Sequence, residues 1–520
     1  MSNFRQPQTL EQAALYHLGE WVSHIAESLM VPVSTLAHKD TEMAHQELRN
    51  HVQKIRLYLG HNVPWMLYNH LTAEVIRSLN LLLEKTKKAH FRGSMGKFVS
   101  EMNVAVSMTE VLFTQNITVL SIDTIPKMMR SVFYLKLHML TGLVHLNLGS
   151  LSGGWKTADM EESTIRAIKH LHRLKSLIIN YDCTDNILRC IVEHCPKLIK
   201  LDMSSSKCIT NESIDIIIKL EQLKSIQLYR TSVTLEGYAK LLINCKSLED
   251  IGRCDEIGKV LEYIDLTNFS ARPMNLKTYV SRYAPMSSLQ LAVQMCPKIR
   301  SMTVFHNSLQ GDLMVLIGLP ELTKLKLLSC DFYADQIKQV LQVKGVNISS
   351  LHLEHVDQID LNALMYISQM CPLLESLTLY NCTLIQHTSL YTNKLQILPF
   401  RNLKKFTLVS TCTEKQLSFV LLNSLNVQYI HIGTAVELTD EFIDKLLDAN
   451  PLIYLKELRI MQSDCLTMAS LERIIHSCIS LNTLVELECW SKLTETDLEY
   501  IKKYIRVNNF NIDVAPNNKK

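Results

Sequence analysis

Cysteine and histidine have the widest chemical reach of the residues in this chain, and their spacing limits what they can do. There are 14 Cys and 19 His among 520 residues. A structural zinc site or a dithiol redox centre draws its ligands from tight pairs such as C-x-x-C. No such pair occurs, and no Cys/His grouping has zinc-ligand spacing. His170 and His172 alternate in His-Leu-His, which a helix sends to different sides. Gly149-Ser150-Leu151-Ser152-Gly153-Gly154 lacks the spacing and the following Lys-Ser/Thr of a phosphate-binding loop. HExxH, G-x-S-x-G and the protein-kinase motifs are also missing. The expectation is a protein that is not an enzyme and carries neither cofactor nor metal. A catalytic centre would need residues converging from distant segments.

The cysteines follow a long register instead. Cys195, Cys245, Cys296, Cys371 and Cys478 each end a helical-looking segment just before a strand. Their separations of 50, 51, 75 and 107 are close to two, two, three and four copies of one period. In that place Cys is a small hydrophobe at a helix end.

The period itself is carried by L-x-x-L-x-L with aliphatic substitutions. Copies run from Ile117-Leu120-Ile122 and Leu143-Leu146-Leu148 through Leu174-Leu177-Ile179, Leu198-Leu201-Met203 and Leu223-Ile226-Leu228. They continue through Ile299-Met302-Val304, Leu322-Leu325-Leu327, Ile348-Leu351-Leu353, Leu374-Leu377-Leu379 and Leu403-Phe406-Leu408. The last are Val427-Ile430-Ile432, Leu455-Leu458-Ile460 and Leu484-Leu487-Cys489. Central residues 177, 201, 226 and 251 step by 24, 25 and 25, and a degenerate copy is expected around Leu276 and Tyr279. That gives roughly fifteen units of leucine-rich-repeat length.

Each such unit supplies a strand and a helix that bury their apolar side only by stacking. The fold class expected is α/β, a leucine-rich-repeat solenoid or horseshoe with a parallel sheet on its concave side, behind an α-helical N-terminal module. Side chains alternate along a strand, so residues between the ladder positions face outward. That outward face is the expected target-binding surface, with Tyr229, Phe305, Lys326, His352, Tyr380, Arg459 and Trp490 as its candidates. Aromatics among mixed charge suit a protein partner.

Composition agrees with a soluble binding protein. The chain is 47% hydrophobic and 20% charged, with 54 basic and 51 acidic residues giving a net charge of +3. No basic block points to nucleic acid. No apolar run is long enough for a membrane span, and the N-terminus has no signal-peptide core. The expected location is cytoplasmic and/or nuclear, with reduced thiols.

Three domains are expected: a helical module over 1–105, the repeat array over 106–510, and a polar tail over 511–520. The module reads as helices Thr9–Met30, Asp40–Leu59 and Pro64–Lys88. It could serve simply as a cap on the first repeat.

His194-Cys195-Pro196-Lys197-Leu198 and its counterparts, with downstream cysteines such as Cys208 and Cys382, resemble the cysteine-containing leucine-rich repeats. Those are common in substrate-recognition subunits of cullin-RING ubiquitin ligases, and the resemblance covers about 400 residues. Thr9-Leu10-x-x-x-Ala14-x-x-x-Leu18 resembles the elongin-binding box of such receptors, with Ala14 where the family has Cys. Its apolar residues, four apart, form one helical stripe suited to an adaptor's groove. Val63-Pro64-Trp65-Met66-Leu67-x-x-x-Leu71 resembles the box that selects cullin-2, although Pro at a helix start is also ordinary capping chemistry. The resemblance implies a receptor in which Thr9, Leu10, Ala14 and Leu18 bind an elongin-type adaptor. Val63, Pro64, Leu67 and Leu71 would then meet cullin-2, while the repeats hold an unknown target protein. Two alternatives stand beside it: a plain interaction scaffold, and an F-box receptor with Val63-Pro64 opening the box. The Ile-Phe pair and the Val-Cys-x-x-Trp feature of an F-box are absent.

Overall fold

The computed structural model describes residues 4–7, 9–89, 95–150, 158–267, 273–282, 285–305, 312–385, 399–433 and 438–515. Most of the glycine stretch that follows Gly149 therefore lies outside the described residues. The chain divides into two compact units, one of Pro7–Arg253 and one of Cys254–Lys520 together with Met1–Gln6.

The first unit begins with four helices: α1 (Leu10–Ala37), α2 (Thr41–Asn62), α3 (Tyr68–Ala89) and α4 (Met95–Ser107). Helix α1 starts where it does because Thr9 and Gln12 form a capping box. The Thr9 hydroxyl accepts from Gln12 N–H and the Gln12 side chain accepts from Thr9 N–H, both at 3.1 Å. Its buried stripe is Leu15, Gly19, Val22, Ala26, Met30 and Val33, spaced by threes and fours as one helical face requires. That stripe packs mainly on α3. Gly19 permits the close crossing, since a Cβ there would stand 2.9 Å from the Glu74 carbonyl oxygen.

After the helices come β1 (Val119–Ser121), β2 (His145–Gly149), β3 (Ser176–Ile179), β4 (Lys200–Asp202) and β5 (Ser225–Gln227), all parallel and in chain order. Leu120, Leu146, Leu177, Leu201 and Ile226 align across the strands and are buried. A ladder side chain of this kind stabilises by about 1.5–3 kcal/mol relative to exposure. The edge of β1 is covered from α3. The Asn69 amide donates to the Thr118 hydroxyl at 2.8 Å and accepts from Thr118 N–H at 3.1 Å. An unpaired edge strand would otherwise invite foreign pairing. Beyond β5 the ladder continues as a single parallel bridge from Ser225 to Asp250, with Ile251 buried behind it. Gly252 follows at φ +62, and a Cβ there would collide with the Gln227 amide.

Among the described residues the second unit holds ten parallel strands. They are β6 (Thr278–Ser281), β7 (Ser301–Phe305), β8 (Lys324–Leu328), β9 (Ser350–Glu354) and β10 (Ser376–Tyr380), then β11 (Lys405–Val409), β12 (Tyr429–Ile432), β13 (Glu457–Ile460), β14 (Thr483–Val485) and β15 (Asp513–Ala515). Their spatial order is their chain order. Tyr279 takes the ladder place in β6, paired with Met302, so the degenerate copy lies where spacing puts it. The segment Phe4–Gln6 belongs to this unit: Phe4 stacks on Phe510 at 5.8 Å, and Arg5 N–H donates to Asn509 O at 2.7 Å.

Two sequence expectations fail at the end of the array. Leu484, not Leu487, pairs with Leu458, so the Leu484-Leu487-Cys489 frame is displaced by three residues. Leu481, Leu484 and Leu487 are spaced by threes, and the pattern alone allows either frame. The backbone decides: Asn482 and Thr483 N–H both donate to Lys456 O, and after Glu486 (φ +66) residues Leu487–Cys489 form a 3-10 turn. The polar tail also begins later than residue 511, because Val514 in β15 pairs with Leu484.

The cysteine register holds in three dimensions. Cys195, Cys245, Cys296, Cys371 and Cys478 are each the C-cap of a repeat helix. The Cys195 thiol donates 3.6 Å to Leu171 O of the preceding repeat. Asn450 fills the same place in its own repeat, donating to Leu421 O at 2.7 Å. Burial pushes the Cys195, Cys296, Cys371 and Cys478 thiols up to about 12 and that of Cys245 to about 11. A thiol so held stays protonated and unreactive at neutral pH.

Candidate interaction surfaces

In the helical module the proposed adaptor stripe is a surface feature. Thr9 and Ala14 are exposed, Leu10 is 88% exposed and Leu18 is half-buried. At 100° per residue the stripe lies about a quarter-turn or more from the face that packs on α3. Trp21 continues it, 38% exposed, with its ring 5.2 Å from that of Tyr58 in α2.

The proposed cullin stretch divides. Val63 and Leu71 are buried in the module's core, Leu67 is half-buried, and only Pro64 is exposed. Contact of Val63 or Leu71 with a partner is therefore a mistaken assignment. Their spacing has an internal cause: Val63 caps α2, its N–H donating to Leu59 O, and Leu71 is on the inward face of α3. Sequence reasoning missed Trp65 and Met66, which are 65% and 63% exposed. Two large apolar residues beside a helix-start Pro, outside the helical stripe, were the available signal.

The second candidate surface is the sheet face turned away from the repeat helices. In the first unit, Tyr229 lies there between two guanidinium groups, Arg253 at 4.4 Å and Arg230 at 5.3 Å from its ring centre.

In the second unit, strand pairing sets the remaining candidates in two lanes. One reads Phe305, Leu328, Glu354, Tyr380, Val409 across β7 to β11. Phe305 and Tyr380, both 40% exposed, are three strands apart, about 14 Å. The other lane reads Thr303, Lys326, His352, Thr378, Thr407, His431, Arg459. Lys326 and His352 converge on Glu354, the Lys326 ammonium at 2.7 Å and His352 Nε2 at 3.2 Å. Burial tends to raise the Glu354 carboxyl, but Lys326 and His352 more than offset it and hold it below its usual range. Glu354 was not among the sequence candidates, because nothing in one strand's pattern tells which neighbour it will face.

Trp490 does not belong to this surface. It is 1% exposed, among the largest fully buried side chains, and its indole N–H donates to Ile460 O at 3.3 Å. The frame slip at β14 explains the error, since Trp490 follows the 3-10 turn and bridges Ser463 instead of extending a strand.

Among the described residues no group of three or more His, Cys, Asp or Glu could hold a metal ion. No helix among them is long and apolar enough to cross a membrane.

No known protein family and no curated protein matches the chain. Solved structures do. A leucine-rich-repeat protein of Leptospira interrogans is 14% identical, covering 77% of this chain and 95% of that one at a TM-score of 0.36. An internalin of Listeria monocytogenes is 13% identical, covering 73% and 88% at 0.34. The yeast Rad7 and Elc1 complex contains a chain 14% identical, covering 83% and 92% at 0.39. The ladders and parallel registers of the chain itself define a leucine-rich-repeat architecture, mixed α/β, with an α-helical N-terminal module.

Proposed function

We propose that this chain is the substrate-recognition subunit of a cullin-RING ubiquitin ligase. The α1 stripe docks an elongin-type adaptor, and the open sheet faces hold a target protein. The chain itself performs no catalysis and contributes proximity and orientation. The observation that carries the reading is Leu10: a large apolar residue, 88% exposed, fixed on the first turn of a 28-residue helix by a capping box. Burying such a side chain in a partner's groove is worth about 1.5–3 kcal/mol, and its helix needs no folding on binding. In the stretch that resembles the cullin box, Pro64, Trp65 and Met66 are the surface residues, so the cullin contact falls to them.

The plain scaffold is the second reading, favoured by Asn69, which makes the module a cap for the edge of β1. Co-purification of the full chain with the elongin adaptor pair separates the two. The natural chain should recover the pair. Leu10→Asp with Ala14→Arg should lose it while unfolding at the same temperature, since both positions are exposed. A natural chain that recovers no adaptor would leave the scaffold, and recovery of a Skp-type adaptor would favour the F-box alternative.

A further inference from the structure

The lane that holds Lys326 and His352 continues into a basic group that no carboxylate among the described residues pairs with. Thr407 in β11 pairs with His431 in β12, and His431 pairs with Arg459 in β13. Lys405 stands on the same face of β11, paired with Tyr429. Adjacent strands are about 4.8 Å apart and Lys405 is two residues back along its strand, so the side chains of Lys405, His431 and Arg459 start within about 12 Å of one another. Neither Lys405 nor Arg459 forms an ion pair among the described residues. His431 Nε2 and Arg459 Nε are shielded from water without any hydrogen-bond partner. Glu457 is the single acid on these three strands. It lies in the lane of Lys405 and Tyr429 and pairs with none of the cations.

A shielded polar nitrogen left unpaired is costly, and a bound ion is one of the physical reasons such a group is retained. We propose that Lys405, His431 and Arg459, with the Thr407 hydroxyl, form a phosphate-binding subsite for a phosphorylated residue of a partner protein. The inference rests on the reading that the open sheet face receives a target, and it specifies the chemistry of that target.

Three features select phosphate. A phosphoryl group offers three terminal oxygens and a charge of roughly −1.5 to −2, which three donors on three strands can divide. A carboxylate offers two oxygens and half the charge. The Arg459 guanidinium supplies the planar fork that phosphate recognition favours over a point charge. A protein carrier fits better than nucleic acid, because the basic group is local. Tyr429 and Glu457 share the lane of Lys405, and the whole chain carries only +3. His431 adds a readout. Burial, then Arg459 and Lys405, hold its imidazole below the usual range, and a bound dianion would reverse the last two effects.

The test uses the full chain and a fluorescent peptide pool with a fixed central phosphoserine, beside matched pools carrying Ser or Asp at that place. The phosphoserine pool should bind at least about tenfold more tightly than either control. Inorganic phosphate should compete, and the titration of His431 followed by NMR should shift upward when phosphate is added. Arg459→Met should reduce binding by about tenfold or more with an unchanged urea midpoint, and Lys405→Met should weaken it less. Equal binding of the Asp pool, or undiminished binding by both Met variants, would overturn the subsite. Adaptor co-purification from the same preparation keeps the two claims apart. Adaptor recovered without phosphopeptide binding rejects the subsite alone, whereas phosphopeptide binding without adaptor rejects the receptor reading alone.

Discussion

The open faces of the two sheets are built at the same lane positions but use them differently. In the five-stranded sheet the lane reads Ser121, Asn147, Ile178, Asp202 and Gln227, and its short polar side chains serve their own backbone. Asn147 accepts from Gly149 N–H at 2.8 Å and donates to the Ser121 hydroxyl at 3.0 Å. Asp202 accepts from Ser204 N–H at 3.0 Å and from its hydroxyl at 2.7 Å. Asp250, one lane over, accepts from Gly252 N–H at 2.9 Å. These residues turn the chain out of the strand and have little capacity left for a partner. In the ten-stranded sheet the equivalent places hold Lys326, His352, His431 and Arg459, which are too long to bond their own turns. One pair of them is neutralised by Glu354, and the other is not neutralised by any residue described. The difference teaches that polarity on a repeat face is no sign of binding by itself; the absence of an internal partner is.

The largest expected effect is at Glu354. Glu354→Ala leaves the half-buried Lys326 and His352 without their anion and should cost about 2 kcal/mol in urea unfolding. It should also create a second place where phosphate binds. A variant as stable as the natural chain would mean that the Lys326 cluster is not held together internally. Asp250→Ala probes the other sheet. It removes acceptors for Gly252 N–H and the Ser225 hydroxyl and should cost about 1 kcal/mol without changing phosphopeptide binding. Altered binding there would show that the five-stranded face also takes part.

The smallest effect is a pH dependence. The folded-state pKa of His431 lies below its ordinary 6.5, so its contribution to stability is complete above that value. That contribution is lost as pH falls through the folded pKa, because the unfolded chain then binds the proton more readily. His431→Gln should flatten this part of the stability profile between neutral pH and the acid side of 6.5. An unchanged profile would place the loss on His352, whose imidazole burial and Lys326 hold low in the same way.

Much of the repeat architecture was legible in the sequence because the ladder is periodic and each rung is specified locally. Leu177, Leu201 and Ile226 stack where their spacing puts them, and even Tyr279 is found in the degenerate copy. Cys195 and its counterparts mark helix ends because a small apolar residue is wanted at each junction. The exposure of Leu10 and Ala14 was also foreseeable from a stripe beside the buried one. The failures occur where periodicity is ambiguous or absent. Leucines three apart at 481, 484 and 487 left the last strand's frame open, and Trp490 was assigned to the surface in consequence. Val63 and Leu71 have a spacing that a docking box and a helix start share, and only packing against the other helices separates the two.

What the sequence determined by itself, then, is the repeat: its period, its buried ladder, and the inert place of its cysteines. Those follow from burial and from the alternation of a strand, both local properties of the chain. Tertiary structure alone decided the pairing of Lys326 and His352 with Glu354, the exposure of Trp65 and Met66, and the absence, among the described residues, of an ion pair to His431 or Arg459. Each depends on which residues of separate repeats become neighbours across about 4.8 Å, and no single repeat encodes that.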